Sequence, residues 1–222
     1  MRPALLFETR RFMVIDKPAG LAVHPGPNTA YSLEQYLPEL VLPRRPVPIA
    51  VHRLDRDTSG CLLLARDAAA NRRLSADFAE GRMEKIYRAI LRNPPTGDAG
   101  KVDAPLAKIS SAADGWRMQV SPDGKAAHTG WRVLARSSDL ALAEFRPTTG
   151  RTHQLRVHAT LLAPGCTILG DPVYGQRHAT GMMLHAWQLS VTDYWAEGGD
   201  SRITAEAPCP DRFSALGLGW SA

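Results

Sequence analysis

The sequence predicts an α+β fold that is organised around a mainly antiparallel sheet. Two observations lead to this class: short strand-like stretches far outnumber helical ones, and they do not alternate with helices in the regular manner of parallel βαβ proteins. The hydrophobic content of 44% is enough to fill a core. At 222 residues, the chain is expected to form one large domain or two lobes that share a core.

Strands in the first part of the chain are predicted from short apolar runs that end at turn-forming residues. They lie at residues 12–15, 49–52, 61–65 and 83–91. Residues 16–20 form the turn after the first strand, and residues 42–48, with three prolines, are predicted to be a loop. The uninterrupted apolar run at residues 62–65 suits a buried strand.

Two helices are predicted in the same part of the chain. Ser32 and Gln35 match a capping box, which predicts a short helix that ends near Leu37. Asp67 is predicted to be the N-cap of a helix over residues 68–80. Gly81 then stands where a C-cap glycine is expected.

The second part of the chain begins with a Pro- and Gly-containing loop at residues 93–100, the best candidate for a boundary between two lobes. A helix is predicted over residues 152–162, because Gly150 precedes it and Pro164 ends it. Strands are predicted at residues 116–120, 126–134, 140–145, 184–191 and 202–207.

The charge of the chain is concentrated in one segment. Residues 44–92 hold 11 Lys and Arg against 6 Asp and Glu, whereas the rest of the chain holds 16 of each. Either an anion-binding surface or a solvated basic helix face accounts for this excess. No apolar run approaches the length of about 18 residues that a membrane helix needs. Three cysteines without metal-type spacing indicate a reducing cytoplasm.

Residues 52–60, with the sequence HRLDRDTSG, place a carboxylate among cations in a short loop between two predicted strands. Asp55 is flanked there by Arg53 and Arg56, with His52 at the start of the loop. Loops on a rigid scaffold are where catalytic groups concentrate. A salt-bridged surface turn has the same composition, so these residues alone leave both interpretations open.

Two further stretches contain candidate functional residues. Arg151 precedes the predicted helix at residues 152–162, where a cation gains nothing from the helix dipole and needs another reason, such as a carboxylate partner. A solvated arginine at a turn is the alternative. Tyr87 lies on the predicted strand at residues 83–91 and can stack on a base or donate a hydrogen bond. It can equally be a core tyrosine.

Together these stretches resemble the RluA family of RNA pseudouridine synthases along nearly the whole chain. The matching segments occur in the family's order at residues 16–21, 23–25, 52–60, 85–89, 150–158, 170–175 and 184–186. The stretches HRLDRDTSG and GRTHQLRVH are both highly specific. The resemblance implies the pseudouridine synthase fold, a mainly antiparallel mixed sheet in two lobes with a central active-site cleft, as a single catalytic domain over residues 1–222.

The resemblance also implies the roles of individual residues. Asp55 is the expected catalytic aspartate, and Arg151 is expected to pair with it. Tyr87 is the expected active-site tyrosine. Arg53 is associated with taking the target base out of the stack, and Leu155 is expected to line the pocket.

His52 and Arg56 are also predicted to contact the substrate. The expected substrate is a stem-loop of ribosomal or transfer RNA, bound by a short form of the family that acts as a cytoplasmic monomer. No N-terminal RNA-binding domain, membrane or DNA partner is expected. The reaction moves the uracil from one bond to another without a redox change, so neither a metal nor an organic cofactor is expected. A carboxylate can act in it as a nucleophile or as a base.

Two other classes of protein are compatible with parts of the sequence. A metal hydrolase would use the seven histidines, but His153 and His158 are five residues apart and do not share a helix face. An RNA-binding or RNA-folding protein without catalysis would share the basic segment. Such a protein has no use for Asp55 among cations, which favours the enzyme.

Overall fold

The computed structural model of the protein describes residues 3–26, 29, 31–41, 46–111 and 115–220. In these residues, strands dominate and helices are short. The strands are β1 (Ala4–Glu8), β2 (Phe12–Lys17), β3 (Ile49–Ala50), β4 (Ser59–Ala65), β5 (Glu84–Arg92), β6 (Ala99–Asp103), β7 (Leu106–Ser111), β8 (Gly115–Val120), β9 (His128–Arg136), β10 (Leu140–Pro147), β11 (Thr167–Ile168), β12 (Leu184–Asp193) and β13 (Ser201–Glu206). The α-helices are α1 (Ala68–Ala79), α2 (Gln154–Ala159) and α3 (Asp211–Ser214).

The chain divides into two compact units. Unit 1 comprises Met1–Lys85 and Ala186–Pro208, and unit 2 comprises Ile86–His185 and Cys209–Ala222. The predicted lobe boundary at residues 93–100 lies within unit 2. The single catalytic domain over residues 1–222 and the central cleft stay predictions.

The sheet of unit 1 has the strand order β1-β2-β4-β12, with β3 paired to β4 and β13 paired to β12. β2 lies antiparallel to both β1 and β4. Every residue of β4 is buried, as predicted from its apolar run. Helix α1 packs Ala70 and Leu74 into the same core as Phe12 and Leu63. Burial of each large apolar side chain of this kind contributes about 1.5–3 kcal/mol.

The ends of α1 are confirmed, whereas the predicted capping box before it is wrong. The Asp67 carboxylate accepts the N–H of Ala70 at 2.9 Å, and Gly81 has the left-handed φ of +72° expected after a helix. At Ser32, the side chain makes no capping hydrogen bond, and Leu33–Gln35 form a 3₁₀ helix. Ser32 is instead buried and bridges to Ala22.

Unit 2 contains strands in the order β5-β10-β9-β6, all antiparallel, with β11 added to β5. A separate antiparallel hairpin is formed by β7 and β8. Helix α2 is shorter than the predicted 152–162 and is followed by turns. Leu155 and Ala159 on α2 pack against Ala89, Phe145 and Ile168 of the sheet.

These features confirm the α+β class and the predominance of antiparallel pairing. The sequence did not predict β1, β6, β7, β11 and α3. Part of the predicted loop at residues 42–48, residues 42–45, lies outside the described residues. Within the described part of the chain, no helix is long and apolar enough to cross a membrane.

Candidate active site

Asp55 lies on a tight turn of unit 1 that precedes β4. The carbonyl of Asp55 accepts the N–H of Thr58 at 3.1 Å, which closes the turn. Leu54 and Thr58, on either side, are buried, while Asp55 itself is half-buried. The turn is therefore anchored at both ends and carries its carboxylate at a partly accessible position.

Lys17 connects this turn to the end of β2. Its side chain is fully buried, and its ammonium donates to the carbonyls of Pro18 at 2.9 Å, Leu21 at 2.7 Å and Arg56 at 3.1 Å. The Arg56 carbonyl also accepts the N–H of Gly20 at 2.8 Å. Three carbonyls match the three donors of an ammonium, which is the condition for burying it. Residues 18–21 and the Asp55 turn are thereby held together.

Gly60 ends the turn at a point where only glycine fits. Its φ is +108°, and a Cβ atom there would lie 2.2 Å from the carbonyl oxygen of Ala186 on β12. Any side chain would force the two strands apart. This contact explains why the sequence has a glycine at the start of β4.

His52 is a structural group of unit 1. Its Nε2 accepts the N–H of Leu63 at 3.0 Å, and its ring stacks on Phe78 at 4.3 Å. Burial, with the nearby charge of Lys85, lowers the pKa of His52 to about 3. Burial also lowers the pKa of Lys85 to about 8. His52 is therefore neutral at physiological pH, and its predicted contact with substrate stays a prediction.

The cations of residues 44–92 differ in how accessible they are. Arg66, Lys85 and Arg88 are buried, and Arg66 pairs with Glu8. Exposed guanidinium groups belong to Arg53, Arg56, Arg72, Arg73 and Arg82. Arg44 and Arg45 lie outside the described residues. The surface that this segment offers to an anion is consequently smaller than its sequence suggests.

Three of the exposed arginines already have acidic partners, and one of them, Arg82, pairs with Asp77 and Glu80. The Nε of Arg56 donates to Asp57 at 3.1 Å. Arg73 lies 3.8 Å from the carboxylate of Asp77, and its guanidinium stacks 3.8 Å from the ring centroid of Tyr194. Arg53 is exposed immediately before Leu54, next to the Asp55 turn. Its position is compatible with the predicted contact to RNA.

In unit 2, Gln154 holds the segment that carries Arg151. The side chain is buried, and its Oε1 accepts the Thr149 hydroxyl at 2.8 Å and the N–H of Arg151 at 2.9 Å. Its Nε2 donates to the His128 carbonyl and the Thr129 hydroxyl, both at 3.0 Å. All four hydrogen-bonding positions of the amide are used. The start of α2 is thereby fixed to the start of β9.

Arg151 itself is exposed, and its Nε donates to the carbonyl of Ala126 at 2.9 Å. It lies three residues before Gln154, the first residue of α2, rather than directly before a helix that starts at Thr152 as predicted. Asp55 belongs to unit 1 and Arg151 to unit 2, so the predicted ion pair between them stays a prediction.

Tyr87 and Leu155 come together in unit 2. Leu155 is buried in a cluster with Ala89 and Phe145, and Tyr87 packs against that cluster while remaining half-buried. Tyr87 is the cross-strand partner of Phe145. The predicted base-covering tyrosine and the predicted pocket-lining leucine thus share one apolar environment.

A buried ion pair connects two of the motifs that carry the family resemblance. Arg156 of α2 donates two hydrogen bonds of 2.8 Å to the carboxylate of Asp171. Asp171 also accepts the N–H groups of Val173 and Tyr174. Burial alone would raise the pKa of Asp171, but its hydrogen bonds and the charge of Arg156 outweigh this effect and lower it.

Sequence reasoning assigned no role to Lys17, Gln154 or Asp171, although all three lie in the motifs. The sequence did contain one signal for the buried ion pair: an acidic residue, Asp171, and a basic residue, Arg156, in two separate motifs. The partners of Lys17 are backbone atoms, which leave no trace in a sequence. In the described part of the chain, no group of three or more His, Cys, Asp and Glu residues is arranged to hold a metal ion.

Comparison with known proteins identifies the family of the chain. Residues 11–161 match the family model of RNA pseudouridylate synthases. An uncharacterised RNA pseudouridine synthase of Zymomonas mobilis is 48% identical over 217 residues, which cover 96% of this chain and 97% of that protein. Ribosomal large subunit pseudouridine synthase D of Nitrosomonas europaea is 35% identical over 229 residues, 96% of this chain but 63% of that protein.

A solved structure gives the same result for the fold. Human RNA Pseudouridylate Synthase Domain Containing 4 superposes with a TM-score of 0.77 at 26% identity, over 95% of this chain and 90% of the human one. The chain therefore belongs to the RNA pseudouridylate synthase family, and the predicted family is confirmed. It is an isomerase that converts uridine in RNA into pseudouridine.

Proposed function

We propose that the chain acts on large-subunit ribosomal RNA and uses Asp55 as its catalytic carboxylate. The observation that carries this proposal is the Asp55 turn, whose Arg56 carbonyl binds the buried ammonium of Lys17 at 3.1 Å, while the same ammonium binds the carbonyls of Pro18 and Leu21 at 2.9 and 2.7 Å. A carboxylate on so restrained a turn is positioned before substrate arrives. The choice of RNA is supported by relatives named ribosomal large subunit pseudouridine synthases C and D.

The reaction requires a carboxylate and little else. The bond from the uracil ring nitrogen to the sugar breaks, the base turns, and a bond from carbon 5 to the same sugar carbon replaces it. The proton on carbon 5 is then released. Asp55 can attack the sugar or the uracil ring as a nucleophile, or it can abstract the proton at carbon 2′. Neither an oxidant nor a further group enters, so the proposal includes no cofactor.

Arg151 is proposed to orient Asp55 through a charge-assisted pair. Gln154 holds the backbone N–H of Arg151, and the Ala126 carbonyl holds its Nε. The first contact fixes the backbone of Arg151 and the second fixes the Nε end of its side chain. The terminal nitrogens of the guanidinium are the groups that we assign to the carboxylate.

The remaining predicted residues are proposed to handle the flipped base. Tyr87 covers one face of the uracil, and Leu155 closes the apolar side of the pocket. Arg53, which is exposed beside Leu54, fills the space that the base leaves in the RNA stack. Arg56 is proposed to contact a phosphate.

The target uridine is proposed to lie in the loop of a stem-loop. Extrusion of a stacked, paired base costs a few kcal/mol, and bases in loops are already partly unstacked. We further propose that the enzyme acts as a monomer in the cytoplasm, where bacterial ribosomal RNA is modified. An RNA-binding protein without catalysis is not favoured, because the family is enzymatic.

Asp55→Asn tests the assignment of the catalytic group. The amide keeps the shape of the side chain and removes the nucleophile or base. The expected result is loss of tritium release from carbon-5-labelled ribosomal RNA, with RNA binding retained. Asp57→Asn is the matched control, two residues along the same turn, and is expected to retain turnover. Activity of Asp55→Asn within tenfold of the unaltered enzyme would remove Asp55 from the mechanism.

A further inference from the structure

Trp116, on strand β8 of unit 2, is a large aromatic side chain that is only partly packed. Its indole stacks on the ring of His153, with 5.0 Å between centroids and 28° between planes. Despite this contact, 48% of the residue is exposed. The side chain therefore has a fixed orientation and presents aromatic surface to solvent.

The supporting ring of His153 is itself held firmly. His153 is the N-cap of α2 and has a left-handed φ of +53°, a conformation that needs support from its surroundings. Its Nδ1 lies 2.9 Å from the Tyr174 hydroxyl, which accepts the N–H of Met118 at 2.9 Å. Asp171 fixes Tyr174 in turn by accepting its N–H.

Packing of the hairpin does not require the exposed indole. Leu106 at the start of β7 is buried with Ala127 and Val157, and Met118 and Tyr174 pack against that cluster. These contacts already fix the hairpin to the rest of unit 2. A half-exposed tryptophan adds little further burial for its size.

One cation, Lys108, lies over the indole ring. The ammonium of Lys108, an exposed residue of β7, is 5.3 Å from the centroid of the Trp116 ring. Lys125 is exposed and forms two backbone hydrogen bonds with Leu106, two residues before Lys108. An aromatic platform beside cations is the arrangement that binds unpaired nucleotides, since bases stack and phosphates pair with the charge.

We propose that Trp116 stacks an unpaired base of the substrate RNA and that Lys108 binds the adjoining phosphate. This inference rests on the proposed function and adds a recognition site outside the Asp55 turn. His153, on which Trp116 stacks, follows Arg151 by two residues in the chain. RNA held at Trp116 is therefore held next to the segment that carries Arg151.

The test uses in vitro transcribed large-subunit ribosomal RNA and dissociation constants from filter binding. Trp116→Leu keeps apolar bulk and removes the aromatic face, whereas Trp116→Phe keeps the face. The leucine variant is expected to bind RNA about 5- to 150-fold more weakly. The phenylalanine variant is expected to remain near the unaltered protein.

Salt dependence separates stacking from charge. Trp116→Leu is expected to leave the slope of log Kd against log salt unchanged, whereas Lys108→Ala should lower it by about 0.7–0.9. Val120→Ala, an exposed apolar residue on the same strand, is the control and should change neither quantity.

Equal RNA affinity for Trp116→Leu and the unaltered chain would overturn the proposal. So would equal losses of affinity in the leucine and phenylalanine variants that are matched by a lower Tm, because Trp116 would then only support the hairpin. Binding is scored separately from turnover. If the unaltered chain binds RNA but makes no pseudouridine, the proposed reaction fails while the Trp116 comparison still gives its answer.

Discussion

The segments that carry Asp55 and Arg151 are held by chemically different anchors. In unit 1, the buried ammonium of Lys17 donates to three carbonyls. In unit 2, the buried amide of Gln154 accepts from two groups and donates to two. One anchor is charged and only donates, whereas the other is neutral and does both.

The difference has consequences for how each segment responds to change. An ammonium is buried stably only while every donor has an acceptor, so the Lys17 anchor is cooperative and intolerant of substitution. A neutral amide costs less to bury and joins a backbone N–H of one segment to a carbonyl of another. Loss of Lys17 should therefore mainly affect stability, and loss of Gln154 should mainly affect the placement of Arg151.

The largest expected effect on stability follows Lys17→Met. The substitution keeps the length of the side chain and leaves the carbonyls of Pro18, Leu21 and Arg56 without their shared donor. We expect a loss of about 2–4 kcal/mol in the free energy of unfolding, measured by urea denaturation. Lys101→Met, at an exposed position of β6, is the control. A loss no larger than that of the control would mean that water replaces the ammonium.

Gln154→Met and Gln154→Glu break the second anchor in different ways. Methionine removes all four hydrogen bonds, whereas glutamate keeps acceptors for Thr149 and for the N–H of Arg151. We expect kcat to fall at least about tenfold in the methionine variant, which corresponds to one misplaced catalytic contact. The glutamate variant should recover part of kcat, and KM should change little in both. Equal kcat values for the two variants would contradict a positioning role.

The sequence predicted the parts of the fold whose signals are local. The apolar run of β4 and the caps of α1 at Asp67 and Gly81 are such signals, and the structure confirms them. The sequence did not predict β6, because this strand is almost fully exposed and its residues do not alternate between apolar and polar. Its backbone pairing with β9 is what makes it a strand. The capping box at Ser32 was wrong because that side chain is buried.

The sequence predicts the candidate site as a set of residues, which stays a prediction, and gives no arrangement for them. Asp55, Arg151 and Tyr87 were found because their motifs resemble a known family. The anchors Lys17 and Gln154 also contact Arg56, His128 and Thr129, which are 25–39 residues away in sequence, and such contacts are specified by the fold rather than by any local pattern. The sequence predicts which groups react, and the structure shows what holds their segments.

His52 of unit 1 adds to the comparison, because it is a half-buried base whose lowered pKa keeps it neutral at physiological pH. Its pKa is lowered to about 3 by burial and by Lys85, from an ordinary value of 6.5. Between pH 6.5 and 3 the unfolded chain takes up a proton that the folded chain refuses. Stability should therefore fall as pH drops through this window, with a slope that approaches about 1.4 kcal/mol per pH unit for this one group.

His52→Gln is expected to remove that contribution to the slope in urea denaturation at a series of pH values. Val120→Ala, at an exposed position and without an ionisable group, is the control and should leave the slope as it is. Identical slopes for the unaltered chain and His52→Gln would show that the imidazole accepts a proton within the folded protein. The Leu63 N–H would then need another acceptor.

The smallest expected effects compare the two units as sources of RNA-binding charge. Arg72 and Arg73 are adjacent on α1 and both exposed, but the guanidinium of Arg73 stacks on Tyr194 and lies near Asp77. Arg72→Ala should lower the logarithmic salt slope of RNA binding by about 0.7–0.9 if it meets a phosphate. Arg73→Ala should lower it less, because its charge is partly neutralised within unit 1.

Lys125→Ala provides the same measurement for unit 2. An unchanged slope for Arg72→Ala together with a lowered slope for Lys125→Ala would show that Arg72 meets no phosphate and that unit 2 contributes phosphate contacts, which contradicts an RNA-binding surface that includes the exposed face of α1.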